Sequence, residues 1–137
     1  MPLLFVYGSL KEGFPNHHLN RGRRLPGPYR TVEPYPLFVL NGELPCLLPT
    51  PGSGHRVVGQ VFDVTEAELT RMDELERVGE PGGYRRIAIA VVALGSRDEP
   101  PVEALVYVQT PALIEQPGTH TGPIAEYTLE HARSFRW

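Results

Sequence analysis

The sequence predicts one α+β domain over 1–137, mostly sheet, with one main helix and short flanking helical segments. Three observations carry that expectation. Fifteen prolines and fourteen glycines, about a fifth of the chain, are spread evenly, which implies many turns and short strands rather than a disordered tract. Segments 84–94 and 102–109 show the two-residue alternation of strands. Segment 65–77 combines a helix start signal, a helical stripe and a glycine-rich stop. A chain of 137 residues is long enough to bury most of the apolar surface its unfolded form exposes, and no repeat or linker divides it.

The first strand is expected at 3–7, where Leu3-Leu4-Phe5-Val6-Tyr7 is apolar and β-favouring and stops at Gly8, with Ser9 and Leu10 following. Glycine there frees the backbone for unusual φ/ψ and, lacking Cβ, lets a ligand approach the main chain. Consecutive N–H groups at such a strand end suit a carboxylate or an oxyanion. A plain strand and tight turn is the simpler account of these residues taken alone.

Residues 11–19 read as a polar turn running into a short helical segment, and 21–34, mixing charge with Gly and Pro, as an irregular crossing. A strand is expected at 35–40, with Pro36 at its start or on a sheet edge. Asn41-Gly42 signals a hairpin, with 45–48 as the return strand and 49–54 as a loop. The next strand, 56–64, places Gly59 at a bulge or a close contact. Thr65 and Glu68 have the spacing of a capping box and open the helix, which Gly79-Glu80-Pro81-Gly82-Gly83 cannot continue. In 84–94, Ile87 and Ile89 alternate with Ala88 and Ala90. After a turn at 95–101, strand 102–109 sets Leu105, Tyr107 and Gln109 against Ala104, Val106 and Val108. From Thr110 the chain is turn-rich, with a short helix expected over 123–133.

Thirteen basic against sixteen acidic residues, a net charge of −3, give no electrostatic reason to expect nucleic acid or an anionic membrane as partner. Arg21-Gly22-Arg23-Arg24 reads as a solvated loop. No apolar run approaches the ~20 residues that cross a bilayer, and no signal core precedes the first strand. The single cysteine, Cys46, fits a reducing compartment, so a cytoplasmic location is expected. Flanked by Pro45, Leu47 and Leu48, it reads as a small core residue. His17 and His18 are adjacent and face apart, so no metal site is expected.

On the 65–77 helix, Leu69, Met72 and Leu75 form the apolar stripe, and at ~100° per residue Glu76 falls only about 40° from its centre. Glu68 shares the stripe but has a capping role. Glu76 has none, and it faces the unfavourable pole of the helix dipole. Desolvation and that dipole both raise a carboxyl pKa. Catalysis and a structural pairing with Arg85 or Arg86 account for such a placement equally well.

Tyr7-Gly8-Ser9-Leu10-Lys11, then Met72-Asp73-Glu74-Leu75-Glu76, then Tyr84-Arg85-Arg86 together resemble the γ-glutamylcyclotransferase superfamily, and within it the γ-glutamylamine cyclotransferase branch. Further support comes from Glu33-Pro34-Tyr35-Pro36-Leu37 and from 48–64. The likeness covers about the first two-thirds of the chain and becomes general beyond Arg86; the segment from Thr110 departs from the pattern. It implies a fold built on a small mixed β-barrel. It also implies a cofactor-independent reaction in which the α-amine of a γ-glutamyl amine attacks its own γ-carbonyl, giving 5-oxoproline and a free amine. Carried over by motif, Tyr7, Gly8, Ser9 and Leu10 form the substrate loop and Glu76 is the acid/base. Tyr84 and Arg85 are candidate supports: Tyr84 as a partner of acid or ligand or as a core tyrosine, Arg85 as a partner of Glu76 or Asp73.

The chemistry agrees with the residues. An α-ammonium group attacks only after losing a proton, which a carboxylate within about 3 Å can accept. The γ-carbonyl oxygen gains negative charge, for which one fixed N–H donor is worth about 3–4 kcal/mol. The Gly8 loop suits that oxygen or the substrate's α-carboxylate. Because both reacting groups belong to one molecule, the main task is to fold it into a near-attack shape. The alternatives are turnover of another γ-glutamyl compound and a γ-glutamyl-binding domain without turnover. A glycosidase using Asp73 and Glu76 lacks the aromatic-rich cleft that chemistry needs. The leaving amine and the oligomeric state are not encoded in any motif of the chain.

Overall fold

The apolar run at the N-terminus does not alternate because both of its faces are buried. In the computed structural model, which describes residues 2–8, 10–14, 20–40, 44–79, 83–95, 100–109 and 120–130, strand β1 (Leu3–Val6) contributes Phe5 and the following Tyr7 to one core. Leu4 and Val6 enter a second core. A strand covered on both sides reads as continuous hydrophobic sequence.

The neighbours of β1 supply both covers. It pairs antiparallel with β6 (Val58–Asp63), Leu3 opposite Asp63 and Val6 opposite Gln60. On its other edge it runs parallel to β8 (Val102–Val108), Leu4 beside Leu105. Strand β8 pairs with β7 (Arg85–Ala93), β7 with β3 (Tyr29–Thr31), and β3 with β6, so the five strands close into a barrel. Two residues of β2 (Arg23–Arg24) extend the β3 edge of β6. Strands β5 (Leu44–Leu47), β4 (Leu37–Leu40) and β9 (His120–Thr121) form a separate three-stranded sheet. The barrel core includes Phe5, Val61, Ile89, Val91, Ala104 and Val106, each burial worth about 1.5–3 kcal/mol for the larger side chains.

Helix α1 (Glu66–Leu75) lays Leu69, Met72 and Leu75 against Leu4, Val6 and Phe62 on the outside of the barrel wall. Thr65 Oγ1 accepts a hydrogen bond from the Glu68 N–H at 3.1 Å, but the Glu68 carboxylate pairs with Arg71 at 3.1 Å, so half of the capping box forms. The helix ends at Leu75, earlier than the expected 77. Arg77 adopts φ 58°, while the N–H groups of Arg77 and Val78 donate to the carbonyls of Glu74 (3.1 Å) and Asp73 (2.9 Å). That is a Schellman ending, with arginine where glycine is usual.

At Gly59 the ladder register runs through without a bulge. The close contact is what requires glycine, since a Cβ there would stand 2.5 Å from the Val6 carbonyl oxygen.

Two further expectations need correction. The crossing at 21–34 contains β2 and β3, and β3 is a barrel strand; three residues are too few to show alternation among so many breakers. The helix at 123–133 is absent over its described residues, 123–130. There the Ile124 N–H donates to the Leu37 carbonyl (2.9 Å) and the Ala125 carbonyl accepts from Val58 (2.8 Å), so the backbone serves its neighbours instead. The Asn41-Gly42 turn, Ser9 and the His17-His18 pair lie outside the described residues. Among the described residues, no helix is long and apolar enough to cross a membrane.

Candidate active site

Where β1 gives way to Gly8, the C-terminal end of α1 comes alongside and a cavity of about 50 Å³ opens between them, enough for more than one water-sized group. Phe5, Val6, Tyr7, Gly8 and Leu10 line it from the N-terminal strand and loop. Glu76, Tyr84, Tyr107 and Pro45 close the other sides.

Glu76 is the C-cap of α1 and 7% exposed. Its backbone is held from both directions: its N–H donates to the Met72 carbonyl at 2.9 Å, and its carbonyl accepts from the Tyr84 N–H at 2.9 Å. Burial pushes its carboxyl up to about 8. Among the described residues it pairs with neither arginine of the Tyr-Arg-Arg motif. Arg86 binds Asp73 at 2.6 Å, and Arg85 is exposed and lines no part of the cavity. An acid of this kind stays protonated at neutral pH and can both give and take a proton near pH 8.

Three tyrosines surround the acid. The Tyr7 hydroxyl donates to the Tyr107 carbonyl at 2.7 Å and accepts from the Leu47 N–H at 3.3 Å. The Tyr84 hydroxyl donates to the Pro45 carbonyl at 2.7 Å and lies 3.7 Å from Cys46 Sγ. The Tyr107 hydroxyl donates to Asp73 Oδ1 at 2.7 Å. Burial raises all three phenols well above their ordinary value, so they are neutral. Each hydroxyl proton is already given to a protein acceptor, so each phenol meets an incoming group as an acceptor. Burial also pushes the Cys46 thiol up to about 11, which leaves it without nucleophilic character at neutral pH.

Gly8 does not have the positive φ that glycine permits. Its lack of a side chain matters for a different reason: a Cβ would stand 2.8 Å from Pro45 Cγ.

The structure thus brings Tyr7, Gly8, Leu10, Glu76 and Tyr84 around one cavity and leaves Arg85 outside it. Sequence reasoning overlooked Tyr107 and Pro45. The alternation in 102–109 put Tyr107 on a face with Leu105, yet nothing local linked that face to the acid helix. Asp73 is the link, because Tyr107 and Arg86 share its two oxygens. Removing it in Asp73→Ala should destabilise the fold by about 1–2 kcal/mol, the ion pair being partly exposed and discounted accordingly. Denaturant midpoints of the variant and the wild type check this, and equal midpoints would show that the network adds nothing.

Comparison with known proteins follows the same lines. A family model described as gamma-glutamyl cyclotransferase, AIG2-like, matches residues 4–128. A gamma-glutamylaminecyclotransferase of Bos taurus is 38% identical over 141 aligned positions, spanning 98% of this chain and 80% of the relative. One of Homo sapiens is 42% identical over 119 positions, 77% of this chain and 74% of the relative. The crystal structure of an AIG2-like protein from Mus musculus superposes with a TM-score of 0.76 at 32% identity, covering 100% of this chain and 95% of that one.

Proposed function

Because the chain belongs to the gamma-glutamyl cyclotransferase, AIG2-like family, and is an enzyme of the gamma-glutamylamine cyclotransferase type, we propose that it cleaves a γ-glutamyl amine by intramolecular attack, with Glu76 as acid and base. The observation that carries this reading is the buried Glu76 carboxyl facing the same cavity as the Gly8 bend.

The steps follow from proton accounting. Glu76, as carboxylate, takes a proton from the substrate's α-ammonium. The freed amine lone pair attacks the γ-carbonyl carbon, a C–N bond forms, and the carbonyl oxygen takes up the negative charge. As the carbonyl re-forms, the old amide C–N bond breaks, Glu76 returns its proton to the departing nitrogen, and the second proton shed by the new ring nitrogen follows, so that the lactam keeps one N–H and the amine leaves as an ammonium ion. The products are 5-oxoproline and a free amine, with no water consumed. The substrate loop of residues 7–10 holds the γ-glutamyl part, and the Tyr7, Tyr84 and Tyr107 oxygens offer acceptors for the two ammonium hydrogens that Glu76 does not take. A raised pKa suits the return step, because a weak carboxylic acid keeps its proton until the far more basic leaving nitrogen takes it.

The test is release of 5-oxoproline from a panel of γ-glutamyl amines and γ-glutamyl amino acids across pH 6–10. Glu76 is protonated below about 8 and cannot then act as base, so the rate on a γ-glutamyl amine should climb as pH passes through about 8. A blank panel would leave a binding domain without turnover. A rate that is flat from pH 6 upward would remove Glu76 from the proton transfer.

A further inference from the structure

We infer that Lys11 is a positioning residue: its buried ammonium ties the loop after Gly8 to the 124–127 segment and so holds the substrate-contacting backbone in register with the acid. The inference rests on the cyclotransferase reading.

Lysine is almost never fully buried unless it is paired, yet Lys11 is 3% exposed. Its Nζ donates to the Tyr127 carbonyl at 2.6 Å across 116 residues of sequence and lies 4.2 Å from the centre of the Phe14 ring. Phe14 in turn packs on Tyr127, ring centres 6.1 Å apart. Lys11 takes no part in the proposed chemistry and does not line the cavity, but it adjoins Leu10, which does.

The far end of the tie is firm. Tyr127 is fully buried in the barrel core, Ile124 is bonded to Leu37, and Ala125 to Val58. At the near end, the Lys11 N–H donates to the Gly8 carbonyl at 3.1 Å, so the residue holding the tether also closes the turn at the glycine. The Leu10 carbonyl is braced by Asn20 at 3.3 Å, and the Glu12 N–H by Gln60 at 2.7 Å. These bonds limit the loop's direction along the sheet, while the ammonium fixes it against the chain's far segment. Burial lowers the Lys11 pKa to about 8, which fits an ammonium with little water around it.

The test is Lys11→Met, which keeps the apolar stem and removes the donor. On a γ-glutamyl amine, KM should rise by about tenfold while kcat stays within about threefold. A role in stability alone would lower the melting temperature and leave KM unmoved, and KM within twofold of wild type in a folded K11M overturns the inference. If K11M does not fold, Lys11→Gln, too short to reach the Tyr127 carbonyl, carries the same expectation. Amide hydrogen exchange without substrate separates this inference from the reading beneath it. Exchange at residues 7–10 should quicken in K11M while β7 and β8 keep wild-type protection. If no γ-glutamyl compound is turned over, the cyclotransferase reading fails, and unchanged exchange at 7–10 would then overturn the positioning role by itself.

Discussion

Replacing Glu76 with glutamine should lower 5-oxoproline release by 10²- to 10⁴-fold, the range general acid–base groups supply, and should make the fold more stable above pH 8. The second half follows from linkage. The Glu76 carboxyl is raised from its ordinary 4.5 to about 8. Its folded pKa exceeds its unfolded one, so its contribution to stability is fully present below the unfolded value. That contribution declines through the window from about 4.5 to 8 and is gone above it. The full difference is on the order of 5 kcal/mol for a group this buried. Glutamine does not titrate. Denaturant midpoints of Glu76→Gln and wild type should therefore lie close together at pH 5 and separate at pH 9, the variant being the more stable. Activity within a few-fold of wild type would exclude Glu76 from the mechanism. A constant gap between the midpoints would mean that the carboxyl is hydrated.

Placing valine at Gly8 should raise KM more than tenfold and cost about 1–3 kcal/mol of stability, the usual range for overpacking. The first added carbon would already stand 2.8 Å from Pro45 Cγ, and the two γ-methyl groups of valine need further room. Pro45 belongs to β5, whose register with β4 is fixed through Val39. The loop is therefore the side that gives way, and the cavity wall moves with it. Calorimetric titration with a γ-glutamyl amine reads the effect directly. Unaltered binding would reduce the Gly8 bend to a turn without a part in recognition.

Much of the fold was legible because the strongest signals were local. The stripe of Leu69, Met72 and Leu75 located the packed face of α1, and the alternation in 84–94 and 102–109 located two barrel strands. The acid could be singled out because a carboxylate on that stripe has no local reason to be there. What stayed hidden was non-local. Strand β3 is three residues in a breaker-rich stretch, and its ladder partners lie in β6 and β7. Tyr107 joins the site through a bond to Asp73 that spans 34 residues. Tyr127 is buried in the barrel core from a segment whose sequence reads as a short helix in a turn-rich stretch. The reason for glycine at position 8 was equally invisible, since it is the side chain of a proline 37 residues later. Arg85 and Arg86 are neighbours in a motif, but on a strand they face opposite ways, and only the arginine facing α1 finds Asp73.

The double cover of β1 has a consequence for how such a protein can diversify. No residue of Leu3-Leu4-Phe5-Val6 can change size without disturbing hydrophobic packing on one side of the barrel wall or the other. The base of the pocket is thereby frozen, and a descendant that came to hold a differently shaped ligand would have to reshape the other walls, around Pro45, Tyr84 and Tyr107, while its base stayed as it was.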